Sequence, residues 1–453
     1  MKAFKAYDIR GVWGTDLNEE IAYRIGYFLP DVLPAKTFLV GRDMRLSSDT
    51  AFAQLTKGLN DRGVNVDSVG LSTTPMIYWT TAKYGYEASV MITASHNPSN
   101  HNGFKISAKD AKPVGYDTGL NKLEALVASD KKAVVAAQRG VTKEINVYAE
   151  YIDYQHQYLG DLSKLKVAVD CSNGASNLFV KQLLGDTPYY INDTLDGRFP
   201  GHEPNPLEAE NQEQIKELVL KNKCDIGLLF DGDADRITFI DEKGQFISPD
   251  LIIAFLGNYF LGEKKQKGIV LQDIRSSRAI QEYLGKLYNA EVVTWRVGRA
   301  YAALKLRELD GCFGGELAGH YYFRDFYYSD SGIMAALLVL RLLAQFKAQG
   351  KCMSQIVKEI SGYYNSGEIN FKIEKKQEAM DAVRDHFMAQ EKPERFLDFD
   401  GYRLDYQNYW LNIRPSNTEP YLRFLCEAKD EKKLKEIIET VTRIVNQLIS
   451  LTD

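Results

Sequence analysis

The chain has 453 residues, a prior of roughly three domains at about 150 residues each. Its 56 basic and 61 acidic side chains leave a formal net charge of −5, and 27 Tyr, 21 Phe and 4 Trp supply ample core material. These values exclude a disordered chain, a nucleic-acid binder acting through bulk positive charge, and a collagen-like repeat.

In chain order, the N-terminus lacks the apolar stretch of a signal peptide. Residues 38–41 read as a strand end, 51–59 as a helix, and 89–93 as a buried strand. Residues 166–170 form another apolar strand, with a turn at 172–174 leading into a helix. Strands follow at 225–230 and 268–271. Continuous apolar strands alternating with helices predict parallel α/β layers covered on both faces. Residues 131–143 read as a polar, helix-like stretch. The apolar run at 333–346 is interrupted by Arg341 and is shorter than the ~20 residues of a membrane span. Beyond residue 362 come an alternating strand at 368–375, a hairpin-like pair over 400–413 and a charged helix over 432–451, an α+β pattern. The five cysteines form no CxxC pair, which predicts reduced thiols in a cytoplasmic protein.

Four strings are placed in loops after apolar strands, where α/β sheets gather ligands. Thr93-Ala-Ser-His-Asn-Pro98 offers Ser95 as a nucleophile beside His96, or simply a polar turn. Asn102-Gly-Phe-Lys105 reads as a tight turn followed by a cation able to neutralise phosphate or move a proton. In Asp231-Gly-Asp-Ala-Asp-Arg236, carboxylates at i, i+2 and i+4 of an extended loop would point one way. That suits a hard divalent cation, with magnesium fitting best; three solvated aspartates are the alternative. An EF-hand is disfavoured, because Arg236 stands where that loop needs Gly and the flanks look like strands. Gly314-Gly-Glu-Leu-Ala-Gly-His320 brings together Glu316, a possible acceptor for a sugar diol, and His320, a possible acid or base, or is only a Gly-rich turn. Arg414-Pro-Ser-Asn-Thr-Glu-Pro420 offers the donors of a phosphate cradle, or a polar turn. No Walker-A pattern is present.

These four strings in this order, with Phe4-Lys-Ala-Tyr-Asp-Ile-Arg-Gly11 ahead of them, resemble the α-D-phosphohexomutase family over nearly the whole chain. The similarity is greatest to its bacterial phosphomannomutase/phosphoglucomutase branch. Asn417 and Asn-Gly-Phe-Lys105 favour that branch over the phosphoglucosamine mutases, which remain the alternative. The resemblance implies three similar mixed-sheet α/β domains (1–145, 146–244 and 245–361) and a C-terminal α+β domain (362–453) around a central cleft.

It also implies roles. Ser95 would carry the transferable phosphate and, with Asp231, Asp233 and Asp235, hold Mg²⁺. Arg10, His96, Lys105, Arg236 and His320 would surround the transferring group. Tyr7, Arg275, Arg299 and Glu316 would bind the sugar phosphate, with Glu316 on the 3- and 4-hydroxyls. Arg414, Ser416, Asn417 and Thr418 would hold the non-reacting phosphate. The reaction implied interconverts hexose 1-phosphate and hexose 6-phosphate through phosphoserine and a 1,6-bisphosphate, which also primes the enzyme. The partners are then small hexose phosphates, with neither nucleic acid nor membrane. Three residues depart from the family pattern: Ala318 for Ser, Arg299 for His and Arg275 for Lys. They bear on sugar preference more than on the reaction.

Overall fold

The computed structural model describes residues 1–416 and 421–449. Four sheets follow one another along the chain. In the first, the order is Ile9–Val12, His101–Ala108, Ala88–Ile92, Thr37–Arg42, Asn65–Leu71 and Thr142–Glu144, with Lys112–Pro113 added to His101–Ala108. Its centre is parallel, while His101–Ala108 runs antiparallel to both neighbours. The second sheet carries Val167–Asp170 between Tyr189–Ile191 and Ile226–Phe230, all parallel, and then folds back through Ile237–Asp241. The third repeats that scheme: Val292–Trp295, Val270–Asp273 and Phe313–Gly315 are parallel, and Tyr321–Phe323 and Ser329–Asp330 return antiparallel. The predicted parallel layers are thus mixed sheets, because each parallel core is closed at one side by a hairpin strand.

Strands Ala88–Ile92 and Ile226–Phe230 are buried throughout, as near-continuous apolar runs require when both faces are covered. Ser331 caps the helix Gly332–Ala348, accepting from the Met334 amide at 3.1 Å. That helix holds the apolar run at 333–346, and most of its residues are buried in the core. Among the described residues no single helix is long and apolar enough to cross a membrane. The fourth sheet is antiparallel throughout and packs under Lys376–Gln390 and Glu431–Ile449.

Several local expectations are corrected. Residues 131–143 are not helical until the short strand Thr142–Glu144. Their backbone groups bond to neighbouring helices instead: the Val134 amide to Tyr27 Oη at 2.8 Å, and the Ala136 amide to the Asp61 carbonyl at 2.8 Å. Residues 102–105 lie within the strand His101–Ala108 rather than in a tight turn. Gly103 is needed there because a Cβ would stand 2.2 Å from the Ile9 carbonyl oxygen. The Asp231–Asp235 segment is curled, with Ala234 at φ 63°, not extended. Arg414 sits in the strand Tyr409–Pro415, before the predicted loop. All five cysteines are unpaired, and burial pushes the thiols of Cys171 and Cys426 up to about 12.

The largest apolar cluster joins elements of the first three sheets, running from Leu39 and Trp79 through Phe230 to Ile360. The fourth sheet has its own cluster. Polar contacts link it to the third. Glu427 Oε2 accepts from Ser277 Oγ at 2.6 Å and Trp410 Nε1 at 2.7 Å, and Oε1 accepts from Asn365 Nδ2 at 2.9 Å. Burial, reinforced by the charge of Asp250, pushes the Glu427 carboxyl up to about 7 from an ordinary 4.5. Between those values the folded chain holds a proton that the unfolded chain releases. The contribution of Glu427 to stability is therefore greatest at the acid side and falls as pH rises through that window. Thermal unfolding of the wild type and Glu427→Gln between about pH 5 and pH 8 should show the variant gaining relative stability as pH rises; parallel curves would refute the assignment.

Candidate active site

Ser95 follows the buried strand Ala88–Ile92 and has a left-handed backbone, φ 52°. Its amide donates to Thr93 Oγ1 at 2.9 Å, and its Oγ donates to Asp231 Oδ2 at 2.8 Å. Gly232 permits this meeting of the first two sheets, since a Cβ there would stand 2.5 Å from the Ser95 carbonyl oxygen. Arg45, unassigned in the sequence, explains how the strained turn is held. Its Nη2 donates to the carbonyls of Ser95 at 2.8 Å and Asn97 at 2.6 Å, and its Nη1 to those of Pro98 at 2.6 Å and His101 at 3.1 Å. Its side chain is fully buried beside Asp43, Nε to Oδ2 3.2 Å.

Asp231, Asp233 and Asp235 are fully buried, and each offers an oxygen within 4.8 Å of the others. Lys105 Nζ donates to Asp233 Oδ2 at 2.6 Å and Asp235 Oδ2 at 2.5 Å; Thr74 Oγ1 also donates to Asp233 Oδ2. Burial opposes the charge of Lys105, but the two aspartates outweigh it and raise its pKa. Lys105 is therefore a charged donor, here bonded to the two aspartates. Burial and the neighbouring carboxylates push Asp231 well above the usual range. Asp233 Oδ1 and Asp235 Oδ1 are buried with no hydrogen-bond partner. Three converging hard oxygens, two of them orphaned, fit a small divalent cation.

His96 Nδ1 stands 3.5 Å from Ser95 Oγ. Burial, then the charge of Arg236, holds His96 well below its ordinary pKa, so it is neutral. Arg10 donates to Asn97 Oδ1 at 2.8 Å and to Asp8, and its buried Nε has no partner. Arg236 Nε donates to His320 Nε2 at 2.9 Å. Because a guanidinium only donates, Nε2 carries the lone pair and the His320 hydrogen lies on Nδ1, facing Asp330 Oδ2 at 2.7 Å. Asp330 also pairs with Arg299 Nε at 3.1 Å, and that guanidinium lies over the Tyr78 ring. Asp235, His320 and Asp330 also cluster closely enough to ligate a metal, but His320 and Arg299 already engage Asp330.

Glu316 is buried in the return between Phe313–Gly315 and Tyr321–Phe323, and burial raises its pKa. Its Oε1 accepts from Tyr322 Oη and its Oε2 from the Gly298 amide at 3.1 Å. Arg275 makes a two-nitrogen pair with Asp273 and lies 4.0 Å from Glu368 Oε2. Arg414 Nε and Nη2 both donate to Asp400 Oδ1, and Asp400 Oδ2 accepts from the Val297 amide at 2.7 Å. Tyr7 Oη donates to the Val297 carbonyl at 3.0 Å. Gly298, at φ 125°, lies where a Cβ would come 2.4 Å from Tyr7 Cζ.

Ser95, His96, Lys105, Arg10, Asp231, Asp233, Asp235, Arg236, His320 and Arg299 thus form one charged network, with Glu316 adjoining His320 through their paired backbones. Tyr7, Glu316 and Arg414 meet around Val297 and Gly298. The Ser416 amide donates to the Tyr421 carbonyl at 2.9 Å; Asn417 and Thr418 lie outside the described residues. Arg45, Thr74, Tyr322 and Asp330 went unread in the sequence. Arg45 alone had a usable signal, following the apolar strand Thr37–Arg42 in the same manner as the four strings.

Family models match in series: the phosphoglucomutase/phosphomannomutase alpha/beta/alpha domains I, II and III over residues 1–134, 147–244 and 248–363, and the C-terminal domain over 368–444. Phosphomannomutases of Methanocaldococcus jannaschii and Escherichia coli are 35% and 36% identical, each over 99% of this chain and 98% and 99% of their own lengths. A solved phosphoglucomutase/phosphomannomutase family protein of Burkholderia thailandensis superposes with a TM-score of 0.87 at 26% identity, covering 99% of this chain and 97% of its own. The chain belongs to the phosphoglucomutase/phosphomannomutase family. It is an intramolecular phosphotransferase of the phosphohexomutase type, as the resemblance of its four strings implied.

Arg45 fixes four carbonyls around the Ser95 turn, and misplacing a reacting group by about 1 Å can cost ~10²-fold in rate. Arg45→Lys keeps the charge and loses most of those bonds. Steady-state kinetics should show kcat reduced by about that factor with KM nearly unchanged; an unaltered kcat in a folded variant would remove the positioning role.

Proposed function

We propose that the enzyme interconverts hexose 1-phosphates and hexose 6-phosphates of mannose, glucose or both through phosphorylated Ser95 and a 1,6-bisphosphate intermediate. The observation that carries this reading is Ser95 Oγ bonded to Asp231 inside three buried carboxylates and ringed by Arg10, Lys105 and Arg236. Asp231, Asp233 and Asp235 would hold Mg²⁺ with Ser95, and the ion, when bound, would neutralise charge on the transferring phosphoryl group. A solved N-acetylphosphoglucosamine mutase of Aspergillus fumigatus is described as a complex with GlcNAc-6P and magnesium, and a variant of that enzyme as a complex with glucose 1,6-bisphosphate. Those two share the fold at TM-scores of 0.60 and 0.57 with 14% identity and are consistent with this reading.

The chain's own groups supply the rest. Arg10, Lys105 and Arg236 offer preorganised donors to the equatorial phosphoryl oxygens, the main need of a loose transition state. The lone pair on His320 Nε2 can take the proton of the attacking sugar hydroxyl once Arg236 turns to the phosphate, with Asp330 stabilising the resulting imidazolium. Neutral His96 adds no further positive charge beside the Ser95 oxygen. Glu316 has lone pairs left for two sugar hydroxyls, and neither is at C2, the one carbon where mannose and glucose differ. Arg414 and Ser416 would grip the phosphate that is not reacting, whichever end of the sugar it occupies. A hexose 1,6-bisphosphate would prime the enzyme by phosphorylating Ser95.

The test is ³¹P NMR of the Mg²⁺-loaded protein with a trace of glucose 1,6-bisphosphate and either mannose 1-phosphate or glucose 1-phosphate. Hexose 6-phosphate should grow without inorganic phosphate, and the two rates rank the sugars. Ser95→Ala should lower the rate on the order of 10³-fold or more while sugar-phosphate binding persists; near-normal turnover would exclude the phosphoserine. Arg414→Ala should chiefly raise KM, by about ten-fold or more for loss of a charge-assisted contact. An unchanged KM would remove Arg414 from the phosphate clamp.

A further inference from the structure

Behind the cleft, a cavity of about 170 Å³ lies between the third and fourth sheets and contains none of the residues assigned above. Its walls come from both sides: Gln272, Arg278 and Gln281 from Val270–Asp273 and Arg278–Tyr288, and Glu394, Arg395, Arg403 and Asp405 from the region of Arg395–Leu397 and Tyr402–Asp405. Two of its three guanidiniums are already paired, Arg278 with both Glu282 and Glu394. Arg403 Nε is bonded to Asp405 Oδ1 at 2.9 Å, and Arg278 Nη2 is 3.5 Å from Glu394 Oε2. The half-buried guanidinium of Arg395 has neither ion pair nor hydrogen bond among the described residues; it feels the charge of Asp405 across the strand pair, but Arg403 already holds that carboxylate. A guanidinium left unpaired in a recess favours an anion, which it can grip with two parallel bonds. Gln272 adds a second requirement. It is buried, its Nε2 donates to Thr294 Oγ1 at 3.3 Å, and its Oε1 has no donor. A buried orphan acceptor calls for a hydroxyl or amine hydrogen.

We propose that this cavity binds a small hydroxylated organic anion, a carboxylate or phosphate monoester of two to four carbons, with the anion on Arg395 and the hydroxyl at Gln272. A cavity of about 170 Å³ suits a ligand of this small size better than a nucleotide.

Occupancy reaches the catalytic cleft through Arg403. Its Nη1 donates to the carbonyls of Ile274 at 2.7 Å and Ser276 at 2.6 Å, on either side of Arg275. An anion bridging the two walls therefore strengthens docking of the fourth sheet, which carries Arg414, and steadies Arg275 beside Glu316. The effect on substrate rests on the phosphohexomutase reading, whereas binding does not. By linkage, substrate and anion should each tighten the other, by about five-fold.

The experiment is calorimetric titration of the Mg²⁺-loaded protein with glycerol 3-phosphate, D-glycerate and inorganic phosphate, with the cleft empty and with it saturated by glucose 1,6-bisphosphate. One equivalent of glycerol 3-phosphate or D-glycerate should bind with the cleft filled, more tightly than inorganic phosphate. That binding should weaken at least ten-fold in Arg395→Gln and survive in Arg414→Ala. The tighter of the two organic anions identifies the charged group. Binding abolished by the bisphosphate, or unchanged in Arg395→Gln, overturns the site; inorganic phosphate binding equally well overturns the hydroxyl assignment. Initial rates with the tighter anion should show KM for the hexose 1-phosphate lowered about five-fold in the wild type and unmoved in Arg395→Gln; an unmoved wild-type KM overturns the coupling. If anion binding behaves as described but no mutase activity is found, the functional reading fails and the site stands.

Discussion

Three carboxylates taken wholly out of water are the constraint around which the molecule is arranged. Asp231, Asp233 and Asp235 lie on one curled segment of the second sheet and repel one another. Buried charge is tolerated only with close partners. Those partners come from the first sheet: Lys105 from the middle of a strand, Thr74 from the start of a helix and Ser95 from a strained turn. The two sheets are therefore held in register by Ser95, Lys105 and the three aspartates, the same groups proposed to carry the chemistry, together with Thr74. Shifting one sheet would strand an anion in the interior, a larger penalty than losing an ordinary surface contact.

The distant half of the site is held differently. Val297 and Gly298 form a junction at which three parts of the chain meet: Tyr7 on the Val297 carbonyl, Asp400 on the Val297 amide and Glu316 on the Gly298 amide. Asp400 in turn orients Arg414. The Asp400 bonds join elements that keep separate apolar clusters. They can open and reform without exposing a shared apolar core, as the proposed admission of a sugar phosphate and exclusion of water would need.

Much of this was legible in the sequence because the strings bearing Ser95, the three aspartates and Glu316 all follow short apolar strands, where α/β sheets expose their loops. The family resemblance then supplied roles that spacing alone left open. What could not be read depends on distance in sequence. Arg45 acts on carbonyls about fifty residues away, and nothing near it announces those partners. Asp330 reaches His320 only because a hairpin strand returns beside it. The helix expected over residues 131–143 failed for the same reason: its polar pattern was real, but Tyr27, Asn60 and Asp61 take up backbone groups that a helix would have paired internally. Gly103 looked like a turn glycine and is instead a strand glycine, required by the close approach of Ile9.

The division of the apolar interior also bears on how the chain is made. The main cluster draws on residues from Leu39 to Ile360. It cannot close on the ribosome until some four-fifths of the polypeptide has emerged, and until then Trp79, Phe230 and their neighbours lack their final cover. The cluster beneath the last sheet is built from residues 371–445, so it can condense afterwards on its own. Synthesis thus leaves one long interval of exposed apolar surface followed by a short, self-contained final step, and the interval is when assistance against aggregation matters most.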